Sequence, residues 1–247
     1  MLFFLRQVRR KLMNENKIST YLLYSVGEII LVVIGILIAV QIDGWNEDRQ
    51  KRNEELDSYQ DIIDDLKKDA ERFNNRIQFA KAHLDCFYRL NAVSKGEAFD
   101  NTGLYDFIVM TITFDPTTKS NHQSTIQDLS DLEIRSLINL YFANEYRVVE
   151  ASEEFNKLIT EVSRPYVLEE MNAFSNDGVF IENKYVFPPT LGKPTLDREK
   201  VKELVKNPKF IAIISELRMS AGLFLAELQS LNDANTGLVE KLQSKLK

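Results

Sequence analysis

The carboxylate of Glu28 is the single charge in the apolar run GEIILVVIGILIAVQI, Gly27 to Ile42. A carboxylate at the centre of a bilayer costs on the order of 3 kcal/mol, so acids in spans usually face protein or water and mark candidate sites. Three kinds of chemistry fit Glu28. It sits about two turns beyond Tyr21, and helical side chains lean toward the amino terminus, so its carboxylate can reach the cytoplasmic head groups. Alternatively it is protonated or hydrogen-bonded to a second span, or it titrates on a proton or ion path. The rest of the chain is poor in reactive constellations. His83 and His122 are the two histidines, and neither has a partner at ligand spacing, so no metal and no cofactor are expected. Asp64-Asp65 and Glu153-Glu154 lie beside apolar helical positions and read as solvated faces rather than catalytic dyads. Ser124-Thr125, before IQDL, reads as a helix start. There is no Gly-rich phosphate loop, GxSxG or HExxH, and 9 glycines leave little loop material for an active site. Cys86 is the only cysteine, so an intrachain disulfide is impossible; it reads as a small buried side chain beside Phe87. The expectation is that the protein is not an enzyme and carries no catalytic residues.

The elements that position Glu28 follow from length and charge. In 247 residues, 44% hydrophobic and 28% charged, there is material for one sizeable domain with appendages. A net charge of −6 argues against nucleic acid as a partner. Tyr21 to Ile42 has the length of a transmembrane helix. Arg6, Arg9, Arg10, Lys11 and Lys17 precede it, and by the positive-inside bias they hold the amino terminus in the cytoplasm. Leu2, Leu5, Val8 and Leu12 at helical spacing suit a short helix on the lipid surface, with Arg6, Arg9, Arg10 and Lys11 contacting anionic lipid. Tyr21, Tyr24 and Trp45 fall where interfacial aromatics belong. Gly35 and Ala39, with Gly27 before them, would let a neighbouring helix approach closely. A cleaved signal peptide is the competing reading. The apolar run is too long for an ordinary signal core, and Ala39-Val40-Gln41 is a poor cleavage site. The expected organisation is a cytoplasmic basic amphipathic segment over 1–17, a signal-anchor helix over 18–42 and a periplasmic helical bundle over 43–247.

Beyond the span, Leu56, Tyr59, Ile63, Leu66, Ala70, Phe73, Ile77, Ala80, Leu84 and Phe87 alternate in steps of three and four, a heptad spacing. It predicts a helix of about 45 residues leaving the membrane. Extended backward, the register puts Trp45, Gly35 and Glu28 on the same nominal seam, unless Asp43-Gly44 breaks the helix. A second pattern runs from about Asp128 to Phe174 through Leu132, Leu137, Leu140, Tyr141, Val148, Phe155, Leu158, Ile159 and Val162. A third, from about Pro208, steps through Ile214, Leu217, Ala221, Phe224, Leu228, Leu231, Leu238 and Leu242. Such helices bury one another's stripes as an antiparallel bundle. Self-association of the membrane-proximal part is compatible with this. The segment LYDFIVMTITF reads as a marginal helix or a strand, because Ile, Val and Thr compete with helix formation. VFIENKYVF reads as a small hairpin across Glu182–Lys184. The fold class expected is mainly α, with at most that hairpin.

The stretch YLLYSVGEIILVVIGILIAVQIDGWNE, preceded by FFLRQVRRKLMNENK, resembles the amino-terminal signature of a family of uncharacterised single-span membrane proteins common in Bacteroidota. STIQDLSDLEIRSLINLYF resembles the same family's motif before its second long helix. The resemblance implies a helical envelope protein with no assigned activity, in which Gly27-Glu28 and Trp45-Asn46-Glu47 are recurrent positions. From the chain as a whole we expect a non-enzymatic interaction or assembly element. It would sit in the bacterial inner membrane with its carboxy-terminal domain in the periplasm. The lipid bilayer and another protein or a second copy are its expected partners, through the transmembrane and stalk helices. A small-molecule-sensing bundle and a subunit of an ion- or proton-coupled complex using Glu28 are the alternatives.

Overall fold

The computed structural model describes residues 18–101, 103–173 and 196–246, with side chains from Leu22 onward. The basic segment with Arg6, Arg9, Arg10 and Lys11, the side chain of Tyr21, and the expected turn and hairpin between 176 and 195 lie outside the described residues. The protein is mainly α, and the chain divides into two compact units, 1–57 and 58–247. Helix α1, Ile18–Ser94, is continuous through Asp43-Gly44. In the first unit its side chains from Leu22 to Ile42 are exposed but for Ser25. Among the described residues it is the one helix long and apolar enough to cross a membrane.

The second unit is built on the later turns of α1 with two more long helices, α4 (Leu132–Leu158) and α6 (Pro208–Lys245). Their starts are chemically marked. The Asp131 carboxylate accepts from the Glu133 and Ile134 amides at 3.0 and 3.2 Å. Asn207 caps α6 by accepting from the Lys209 amide at 2.9 Å, with Pro208 at the first helical position. Helix α1 stops at Gly96, whose φ of +105° lies in the region glycine tolerates.

Cross-helix pairs give the directions. Lys245–Asp131 at 2.7 Å, Lys241–Glu133 at 2.6 Å and Arg147–Glu227 at 3.6 Å run α6 antiparallel to α4. Asn235 meets Leu66, and the Arg218 guanidinium lies over the Tyr88 ring at 5.4 Å, so α6 is antiparallel to α1 as well. Asn235 also meets Tyr141, while His83 meets Phe155 with ring centroids 5.4 Å apart, so α1 and α4 run parallel. The chain between them must cross back along the bundle. That crossover holds a single 3-10 turn at Asp106–Ile108 and two short helices, α2 (Thr118–His122) and α3 (Thr125–Asp128).

The marginal LYDFIVMTITF segment forms the 3-10 turn and then runs as irregular chain, with no strand among the described residues beside it. Side chains take the place of one. Asn156 receives the Ile112 amide on Oδ1 at 2.8 Å and donates from Nδ2 to the Ile112 carbonyl at 2.6 Å. Ser163 Oγ donates to Ile108 and Arg164 Nε to Val109. These donors lie at the far end of α4, which gives way to π-type turns over Ile159–Ser163 and Pro165–Glu170. The helix expected to run to Phe174 thus leaves α geometry already at Ile159, and Pro165, with no N–H for the regular ladder, opens the second wide turn. Helix α5, Arg198–Leu204, capped by Asp197, was not expected from the apolar pattern.

The stripe on α1 is wider than one seam. Tyr59, Ile63, Leu66, Phe73, Ile77, Ala80 and Phe87 are buried as the spacing predicts, and Ala70 and Leu84 are half-buried. Ile62, Asp69, His83, Cys86 and Leu90 are buried too. The helix is covered by α4, α6 and the crossover together, so more than one row of side chains leaves water.

Candidate functional site

Two turns of α1 hold the crossover through carboxylates. Asp69, with no exposed surface, receives the Thr118 amide and hydroxyl at 3.0 and 2.7 Å. It also receives the Thr117 hydroxyl at 2.8 Å and the Thr117 amide at 3.3 Å. Arg72 adds an ion pair at 3.3 Å. The turn Asp115-Pro116-Thr117-Thr118 thus delivers four donors to one buried carboxylate, offsetting the loss of water around its charge. One turn earlier, Asp65 accepts from Asn121 Nδ2 at 2.8 Å, His122 Nε2 at 3.0 Å and Lys68 Nζ at 2.9 Å. These donors, Asn121 foremost, hold its carboxyl well below the usual range, at about 2. Helix α2 is therefore fastened to α1 at both ends.

The same level receives polar groups from the other helices. Asn235 of α6 donates from Nδ2 to the Leu66 carbonyl at 3.0 Å and to the Tyr141 phenol of α4 at 3.2 Å. Glu145, one turn further along α4, is 1% exposed, and neither of its carboxyl oxygens has a hydrogen-bond partner. Loss of water pushes this carboxyl up to about 8, and the negative charge of Asp69 pushes in the same direction, against smaller pulls from the Lys119 charge and backbone amide and from the Tyr141 hydroxyl. Burial likewise raises the Tyr141 phenol. The site sets the buried Asp69, met by four donors and Arg72, beside a carboxyl that keeps its proton through neutral pH, Glu145. It can hold and release one proton inside the bundle. Among the described residues no three His, Cys, Asp or Glu side chains converge as a metal site.

The remaining reactive groups are structural in placement. His83 is fully buried, with Nδ1 3.0 Å from the Phe79 carbonyl and Nε2 3.1 Å from that of Met110, and burial lowers its pKa. Cys86 is buried, which pushes its thiol up. Asp64 accepts from Gln60 one turn earlier and is solvated, as is Glu153-Glu154, but Asp65 is not the solvated acid its sequence context suggests. Ser124 does precede a helix. Glu28, Tyr24, Gly27, Gly35, Ala39 and Trp45 are placed on α1, all exposed, and a Cβ built on Gly27 or Gly35 meets nothing within 4 Å. Sequence reasoning missed Asp69, Glu145, Asn235, Thr117 and Thr118. The available signal was a polar residue standing at a position of the apolar spacing on each long helix.

A protein-family model described as a family of unknown function (DUF6090) matches residues 28–175, from Glu28 through the crossover to the end of α4 and its wide turns. No curated protein and no solved structure matches the chain.

Proposed function

Taking as premise that this chain belongs to the DUF6090 family of unknown function, we propose that it is a membrane-anchored, non-enzymatic interaction or assembly protein of the bacterial envelope. The observation that carries this reading is the exposed apolar surface of α1. Leu22 to Ile42 presents fifteen large hydrophobic side chains, from Leu22 at 58% to Ile42 at 58%, with Leu23 at 77%. Each one left in water forgoes on the order of 1.5 kcal/mol or more. Lipid, with a partner helix against part of the surface, is the environment that suits it.

The basic residues before the span support a cytoplasmic amino terminus, with Arg6, Arg9, Arg10 and Lys11 on anionic lipid and the 58–247 unit in the periplasm. The likeness of the GEI-LVVIGILIA-QI-W-E stretch to a Bacteroidota signature supports the inner membrane of such a bacterium. Tyr21, Tyr24 and Trp45 anchor the interfaces. Gly27, Gly35 and Ala39 admit a second helix, and Glu28 hydrogen-bonds to it from within the apolar surroundings. The bundle serves as the platform: its buried polar groups mostly bind one another, which fixes one arrangement of three helices rather than presenting a reactive centre.

The test is a single cysteine at Ser94, exposed at the end of α1. Native Cys86 is buried with its thiol pKa raised and does not compete. In spheroplasts, a membrane-impermeant maleimide should label Ser94→Cys, and the protein should stay in the membrane pellet after an alkaline carbonate wash. Labelling only after the inner membrane is lysed refutes the orientation. Release by carbonate refutes the anchor.

A further inference from the structure

A cavity of about 480 Å³ lies between the crossover helices α2 and α3 and the outer side of α4. That volume is in the range of small-ligand sites, about 300–1,000 Å³. Its floor is apolar, from the buried Ile126 and Phe142, and its rim carries Lys119, Arg135, Asn139 and Tyr146, with no acidic residue among the lining side chains. In a chain with 37 acids and 31 bases this is an unusual composition. Elsewhere on these helices, cations meet acids: Arg147 meets Glu227, and Lys241 meets Glu133. Lys119 and Arg135 have no ion pair among the described residues. Arg135 is held in place by donating from Nη2 to the Leu129 carbonyl, while its Nε is buried without a hydrogen-bond partner. Lys119 Nζ stands over the Tyr146 ring at 5.9 Å, a long and weak contact. A guanidinium and an ammonium, each without an ion pair among the described residues, thus line one apolar-floored space, the ammonium also drawing on the buried Glu145.

We propose that this groove binds a small organic anion, its carboxylate or phosphate between Arg135 and Lys119 and its apolar or aromatic body on Ile126, Phe142 and Tyr146. The anion takes a charge-assisted contact from the Arg135 guanidinium, Asn139 supplies a neutral polar contact, and the body covers the floor that an inorganic ion leaves wet. This goes beyond the anchoring reading and does not rest on it. The same chemistry is offered by a free solute and by the head group of an anionic lipid.

The probe is phenyl phosphate, titrated calorimetrically into the full chain in phosphatidylcholine nanodiscs. Saturable binding is expected, at least tenfold tighter than that of inorganic phosphate and weakened about tenfold by Lys119→Gln and by Arg135→Gln. Arg135 also ties Leu129, so thermal unfolding is followed in parallel, and Lys119→Gln, which severs no backbone bond, decides the matter if Arg135→Gln melts early. Heat that does not saturate across the millimolar range overturns the proposal. So does equal affinity for the two phosphates, or binding unchanged by Lys119→Gln. Nanodiscs containing phosphatidic acid separate the sources. Competition that disappears in Lys119→Gln assigns the site to a head group, and undiminished phenyl phosphate binding assigns it to a solute.

Discussion

Glu145 makes folding of the body depend on pH in a direction opposite to ordinary acid denaturation. Its carboxyl ordinarily titrates at 4.5 and is held at about 8 in the fold. Between these values the folded chain keeps a proton that the unfolded chain releases. Stability from this group is thus whole below about 4.5 and is lost as pH rises to about 8. The interval of about 3.5 units, at roughly 1.36 kcal/mol each, is a loss on the order of 4 to 5 kcal/mol, shared with Asp69, whose charge helps raise it. At 1% exposure, solvent screening reduces this little. Glu145→Gln keeps the shape and removes the proton. The variant should match the parent near pH 5 and exceed it by several kcal/mol at pH 9. Urea unfolding of the full chain in nanodiscs, followed by far-ultraviolet circular dichroism at pH 5, 7 and 9, measures both. His83, lowered by burial, works the other way: its contribution is lost as pH falls below about 6.5. It is present in both proteins and cancels in the difference. Asp65, already held at about 2, contributes fully above 3.8 and does not change over this range. Parallel loss of stability in parent and variant from pH 5 to 9 would refute the buried proton.

Further outcomes follow from the same geometry. Asp69→Ala strands the Thr117 and Thr118 donors and should cost about 3–5 kcal/mol, against about 1–3 for Asp69→Asn, measured by the same urea titration; equal, small costs contradict the cap. Asp65→Asn weakens the hold on Asn121 and His122, so amide exchange at 118–122 should quicken while α6 stays protected. Cysteines placed singly at Gly35 and Ala39 should form membrane-dependent cross-links, and Glu28→Gln should reduce them without reducing insertion; a solitary anchor gives none.

How much of this was legible in the sequence differs sharply between the two units. The helix apolar and long enough to cross a membrane could be read from composition, because only apolar length is needed for it, and Leu22–Ile42 supplies it openly. The continuity of α1 through Asp43-Gly44 could not be read, since an isolated glycine costs a helix only about 1 kcal/mol and neighbouring turns decide. Within the bundle, the existence of three long helices followed from the spacing, and so did the phase of α6, where every apolar position named from the spacing is buried, and most of that of α1; the phase of α4 did not. On α4 one buried row, Ile134, Ile138, Tyr141, Glu145, Val148, Ser152, Phe155 and Ile159, alternates in threes and fours, with Phe142 and Ala151 buried beside it, while Leu132 and Leu140, which an apolar count prefers, are 71% and 60% exposed. On α1 the same count takes Ala70 and Leu84 where Asp69 and His83 are the fully buried residues. On α6 it steps from Leu231 to Leu238 and passes over Asn235 midway.

Asp69, Glu145 and Asn235 are thus omissions of one kind. A polar residue at a seam position is indistinguishable from a solvated one until its partners are known, and its partners are on other helices. What connects them is level: the Asn235 amide touches Leu66 and Tyr141 together, one turn before Asp69 and Glu145 respectively. A single polar layer at one height rewards only the alignment in which all three gaps coincide: sliding α1 against the crossover by a turn buries Asp69 without its threonines, and sliding α6 takes Asn235 from Leu66 and Tyr141. Polar residues at such positions specify register at a cost in stability. Glu145, the member left without a hydrogen bond, makes that cost depend on pH.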